Sequence, residues 1–152
     1  MDKATVAHNT FVIERNYPVP PECAFAAFAN PAKKRRWFAE GEESKVESFE
    51  MDFRVGGRET TKFSFGNHPT CTNDTVFLKI TTNRLIVLAY TMTMGDHCFS
   101  SSQATFEFVP TGKGTNLILT EQAAFFENAD GPKIREDGWR QLLEQLAKDL
   151  AA

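Results

Sequence analysis

Glu121 is the residue of this chain best placed to do acid–base chemistry. In the run 115–123 it falls on the same strand face as Leu117 and Leu119. With that face inward, its carboxylate lies at the edge of an apolar space, where burial raises the pKa and suits the group to general acid or base work. The alternative is a structural ion pair with Arg54, Arg58 or Arg135. Tyr90 is a second group able to move a proton, and Asp74 and Gln122 are lesser candidates.

Other chemistries lack their residues. His8, His68 and His97 are far apart, with no carboxylate spacing to complete a metal set. Cys23, Cys71 and Cys98 match neither a zinc pattern nor a CxxC motif, and read as reduced, mostly buried thiols of a cytosolic protein. His97 and Cys98 are adjacent on a strand, so they point to opposite faces and form no dyad. Ser100-Ser101-Ser102 has no nucleophile elbow around it. Gly56-Gly57 lacks the following helix and Lys-Ser/Thr of a phosphate loop, and reads as a turn or bulge. No metal or cofactor is expected.

The bulk numbers narrow the partners. Lys plus Arg total 17 against 20 Asp plus Glu, a formal charge of −3, so no basic field exists for nucleic acid. No apolar run is long enough for a membrane helix, and the first residues lack the apolar stretch of a signal peptide. Lys33-Lys34-Arg35-Arg36, followed by acidic 40–43, offers a site for an acidic partner or for a carboxylate ligand at a cavity mouth; the alternative is a solvated helix face answered by its neighbours. Hydrophobic residues at 41% and charged residues at 24% describe a soluble globular chain and exclude disorder. The 14 Phe, against 2 Tyr and 2 Trp, are a large load of rigid rings to bury.

The elements that position these residues follow from periodicity and turn chemistry. Residues 10–17 read as a strand ending at Pro18, with residues 1–9 a flexible terminus and 10–152 a single domain. Pro20-Pro21 opens one short helix; Asn30 caps a second, with Pro31 at its first position and Trp37-Phe38 at its end. Six β-rich runs follow, near 44–54, 58–65, 72–81, 84–94, 98–109 and 115–123. Their links are too short for crossovers, so they form an antiparallel meander, with the first strand free to pair with one of its ends. From Pro132 onward, Trp139, Leu142, Leu143, Leu146, Ala147 and Leu150 mark one face of a long helix. The simplest packing is an α+β fold: a curved seven-stranded antiparallel sheet wrapped around the C-terminal helix, with two short helices between the first and second strands. In the run 84–94 both faces are apolar for half the strand. The helix covers one; a second copy, in a homodimer, or the two short helices cover the other.

Several motifs in this order resemble the START-like, polyketide-cyclase-like superfamily, and within it the family named for the activator of heat-shock protein 90 ATPase. They are Tyr17-Pro18-Val19, Phe28 with Asn30-Pro31, Arg36-Trp37-Phe38, Met51-Asp52-Phe53-Arg54-Val55-Gly56-Gly57-Arg58, Asn83-Arg84-Leu85-Ile86, Gly114-Thr115-Asn116-Leu117, Thr120-Glu121-Gln122-Ala123-Ala124-Phe125 and Gly138-Trp139. The resemblance implies the helix-grip fold, often with an internal cavity, and no single reaction: apolar-ligand binders, cyclases and a co-chaperone domain share it.

A curved sheet leaves space beside the helix it wraps. Trp37, Phe38, Phe53, Phe63, Tyr90, Met92, Phe106, Phe108, Glu121, Trp139 and Leu143 are the candidate wall of a ligand site there; the alternative is a filled core. A one-residue register slip inverts every strand, so the sequence leaves the inward set open. The leading expectation is a cytoplasmic binding protein for a small apolar or aromatic molecule. A cyclase- or hydrolase-like enzyme using Glu121, and a co-chaperone-like module with a chaperone partner, are the alternatives.

Overall fold

The computed structural model describes residues 5–40, 44–65, 67, 69–126 and 131–152. His68 and the acidic residues Glu42 and Glu43 lie outside the described residues. The strands are β1 (Val6–Tyr17), β2 (Ser44–Met51), β3 (Arg58–Phe65), β4 (Cys71–Thr81), β5 (Leu85–Met94), β6 (His97–Pro110) and β7 (Thr115–Phe126). Helices α1 (Pro21–Ala29) and α2 (Pro31–Lys34) separate the first two strands, and α3 (Pro132–Ala151) closes the chain. Strand order is β1-β7-β6-β5-β4-β3-β2, all antiparallel: the expected meander, with β1 closing on its last strand. β1 begins at Val6 rather than at residue 10, because Val6–Asn9 pair with Ala123–Phe126 of a β7 that also runs three residues further than its apolar pattern.

Local chemistry sets the joints. Pro21 opens α1, and the Asn30 side chain accepts from the Lys33 backbone N–H at 3.1 Å, capping α2. The second helix then widens into a π-helical turn at Arg35–Ala39, closed by Glu40 N–H donating to the Arg35 carbonyl at 2.9 Å. Gly57 and Gly114 are required by close approach: a Cβ would stand 2.1 Å from the Asp52 carbonyl oxygen and 2.2 Å from that of Tyr17, respectively.

The inner face of the sheet carries Phe11, Ile13, Phe77, Ile86, Leu88, Phe106, Phe108, Leu117 and Leu119, all buried. Trp139, Leu143 and Leu146 of α3 seal it, and the Tyr17 hydroxyl donates to the Leu143 carbonyl at 3.0 Å. The two short helices share this inner face: Phe28 lies 5.0 Å from Phe106 and Phe25 lies 5.4 Å from Phe108 between ring centroids. They therefore do not cover the outer face, where Val12 and Leu78 are exposed. Only Cys71 of the three cysteines is buried. Cys23 sits on the solvent side of α1 and Cys98 beside the β5–β6 turn, which corrects the expectation of mostly buried thiols.

Candidate functional site

The inner face has two parts of different chemistry. Towards α1 it is packed with rings: Phe28–Trp37 at 4.8 Å, Phe53–Phe77 at 5.0 Å, Phe106–Trp139 at 5.5 Å and Phe38–Trp139 at 6.0 Å, tilted or edge-on. Trp37, Phe38, Phe53, Phe106, Phe108 and Leu143 belong to this part. The Trp37 indole N–H donates to the Ala27 carbonyl at 2.8 Å, so its one polar group is used internally.

The other part is polar. Register places Glu59, Thr75, Tyr90 and Ser102 in one row across β3 to β6, and Thr61, Asn73, Met92 and Ser100 in the next. Met92 is half-buried and the other seven are buried. Phe63, half-buried, follows on β3 opposite Val46 and Cys71. Glu121 lies one row toward the ring cluster, opposite Phe11 and Ala104.

Glu121 is fully buried, and three side chains, Tyr90, Trp139 and Arg135, converge on it. The Tyr90 hydroxyl donates to its Oε1 at 2.5 Å and the Trp139 indole N–H to the same oxygen at 2.9 Å. Arg135, one helical turn before Trp139 on α3, brings Nη1 to 3.7 Å from Oε2, too long for a hydrogen bond. Its guanidinium donates instead to the Tyr90 hydroxyl at 3.1 Å, to Ser102 Oγ at 2.9 Å and to Ser100 Oγ at 2.6 Å. It also lies over the rings of Tyr90 and Phe125, 5.3 and 5.2 Å from their centroids. Oε2 of Glu121 is left buried without a hydrogen bond among the described residues, as is Oγ1 of Thr61.

Burial pushes the Glu121 pKa up from its ordinary value, and the hydrogen bonds from Tyr90 and Trp139 together with the Arg135 charge offset only part of that. Burial and the neighbouring carboxylate push the Tyr90 phenol up as well. The pair can hold or pass a proton along the 2.5 Å contact.

Of the three arginines offered as partners for Glu121, Arg135 is the one, while Arg54 pairs with Asp52. Asp74 and Gln122 point outward: each is exposed, one residue out of phase with the inward Asn73, Thr75 and Glu121. The basic run is not a uniformly solvated face. Lys34 is buried, its ammonium 2.7 Å from Glu59 Oε1 and 4.7 Å from the Phe38 ring centroid. Arg35 and Arg36 do pair at the surface, with Glu40 and Asp149. Glu59, Thr61, Asn73, Thr75, Ser100 and Ser102 escaped the sequence reading. Their signal was polar residues at spacing two in β3, β4 and β6, which looks like an ordinary solvent face until register turns it inward. A separate open concavity of about 660 Å³ lies over the outer face, bordered by His8, Thr10, Gln103 and Gln122. Among the described residues no group of His, Cys, Asp and Glu could hold a metal, and no helix is long and apolar enough to cross a membrane.

Residues 18–151 match the model of the family described as Activator of Hsp90 ATPase homolog 1-like protein. The chain belongs to this family. A solved structure from Rhizobium loti is 45% identical over 95% of this chain and 99% of its own, with a TM-score of 0.89. One from Rhizobium leguminosarum is 30% identical over 99% of both chains, with a TM-score of 0.94. The AHSA1-like protein of Aeromonas hydrophila, at 17% identity over 94% of this chain and 92% of its own, shares the fold with a TM-score of 0.69. No protein of curated function matches. The AHSA1-like family fits both ligand binding and chaperone interaction, so the inner site has to be read from its own residues.

Proposed function

We propose that this AHSA1-like protein is a cytosolic binding protein for a small, mostly apolar or aromatic molecule held between the sheet and α3. Phe63, Met92, Trp139 and Phe125 supply the apolar wall, and Glu121 and Arg135 orient the polar end of the ligand. The observation that carries this reading is Glu121 Oε2: a carboxylate oxygen buried in the polar part of the inner face with no hydrogen bond among the described residues. Leaving such an atom unmet costs about 1–3 kcal/mol or more, which a ligand contact removes. Native mass spectrometry of protein purified from its own host tests this. The expected result is a retained non-peptide mass that is lost from Glu121→Gln. A bare polypeptide in every preparation refutes it. The same spectrum reads out the homodimer expected from the uncovered outer face.

A second reading, proton transfer by Glu121, is favoured by its contact with Tyr90. Tyr90 and Arg135 are the neighbouring groups such a step would use. Turnover of the retained molecule that disappears in both Glu121→Gln and Tyr90→Phe would establish it. A co-chaperone role rests on the family's description, and its mark would be stimulated ATP turnover by an Hsp90 partner.

A further inference from the structure

We infer that the ligand of the inner site is uncharged and presents an O–H or N–H donor to Oε2 of Glu121. The inference rests on the binding reading and adds the chemistry of the bound group. Charge comes first. Among the described residues the site has two charged pairs, Glu121 with Arg135 and Lys34 with Glu59, and each is neutral within itself. Both carboxylates and Lys34 are almost fully buried, and the Arg135 side chain is 12% exposed. A charged ligand group would enter with no counter-charge left to meet it, and would carry its own desolvation cost.

Hydrogen-bond capacity comes next. Oε1 of Glu121 already accepts from Tyr90 and Trp139. The Tyr90 hydroxyl donates once and accepts from both Arg135 and Trp139, so it is used up. Arg135 holds Ser100 and Ser102 by their oxygens. What remains unmet is an acceptor, Oε2, together with the Thr61 hydroxyl two strands beyond β5. A buried carboxylate oxygen that none of the described donors reaches selects a partner that brings its own hydrogen. A site of this kind discriminates strongly against the analogue lacking that hydrogen, because the buried oxygen is then left unpaired.

Three probes of one ring system test this by isothermal titration calorimetry at neutral pH: 1-naphthol, 1-methoxynaphthalene and 1-naphthoate. The expected result is that 1-naphthol binds about tenfold or more tightly than its methyl ether, with the naphthoate weakest. In Glu121→Gln, whose side chain keeps the shape and can turn an amide donor to the Oε2 position, the preference for 1-naphthol falls below about threefold. Equal or tighter binding of the ether or the naphthoate to the wild-type protein overturns this inference and leaves the binding reading standing. Failure of all three probes to bind, with no retained mass in the native spectrum, overturns both. The wild-type comparison needs no variant, so it holds even if Glu121→Gln does not fold.

Discussion

Lys34→Met should cost about 3–5 kcal/mol of folding stability, because it leaves a buried carboxylate without its counter-charge. The magnitude follows from burial. The Lys34 and Glu59 side chains are 4% and 1% exposed and their charged atoms are 2.7 Å apart, so neither has water to return to when the other is removed. The variant also gives up the ammonium contact with the Phe38 ring, 4.7 Å from its centroid, worth roughly 0.5–2 kcal/mol. In a chain of this size each kcal/mol moves the melting temperature by about 2–4 °C, so the midpoint should fall by roughly 6–20 °C. Lys34→Met/Glu59→Leu removes both charges while keeping apolar bulk, and should return to within about 1 kcal/mol of the wild type or exceed it. Urea unfolding followed by tryptophan fluorescence gives all the values on one scale. A single variant costing less than about 1 kcal/mol would show that water reaches the pair, and the electrostatic reasoning would fail. A double variant as unstable as the single one would show that the loss lies in shape and not in charge. The same pair closes the charge balance of the inner site, so its failure would also remove one leg of the case for an uncharged ligand.

Three further outcomes are expected. Tyr90→Phe, which deletes one donor to Glu121 and the acceptor for Arg135 and Trp139, should lower stability by about 1–3 kcal/mol, read as a shifted urea midpoint at unchanged slope. The Glu121 pKa lies above its ordinary 4.5 in the folded protein, so the native state binds more protons than the unfolded one between those two values. Its stabilising contribution is therefore complete below pH 4.5 and is lost as pH rises through the raised native value, by about 1.4 kcal/mol per unit of separation. Urea midpoints of wild type against Glu121→Gln from roughly pH 4 to 8 should show the wild type losing ground with rising pH; gaining ground instead would mean that Arg135 holds the carboxyl ionised. Leu143→Ala, at a fully buried position on α3, should cost about 2–5 kcal/mol in the same assay, and a loss within 1 kcal/mol would place α3 off the sheet.

The one-dimensional pattern carried most of the architecture. Turn residues such as Thr82-Asn83 and Gly95-Asp96 separate runs rich in β-formers, and links this short leave only antiparallel neighbours. The i, i+4, i+7 spacing of Trp139, Leu143 and Leu146 marks the buried stripe of α3 without reference to anything else. Glu121 stood out because it shares a strand face with Leu117 and Leu119, and that local relation survives in the folded chain.

What the pattern could not carry was every relation between strands. Side chains alternate with period two, so Asp74 and its neighbours Asn73 and Thr75 are equivalent until pairing chooses a face; the choice put Asp74 in water and the other two inside. Lys34 reads as one charge in a basic run until α2 packs against β3 and delivers it to Glu59. Arg135 was one of three arginines in reach of Glu121, and only the seating of α3 on β5, β6 and β7 singled it out. Sequence alone settled the elements, their order and their apolar stripes, because these depend on contacts a few residues apart. The polar belt, the partners of both buried carboxylates and the unmet oxygen of Glu121 depend on hydrogen bonds between residues 18 to 49 positions apart, and only the tertiary structure decided them.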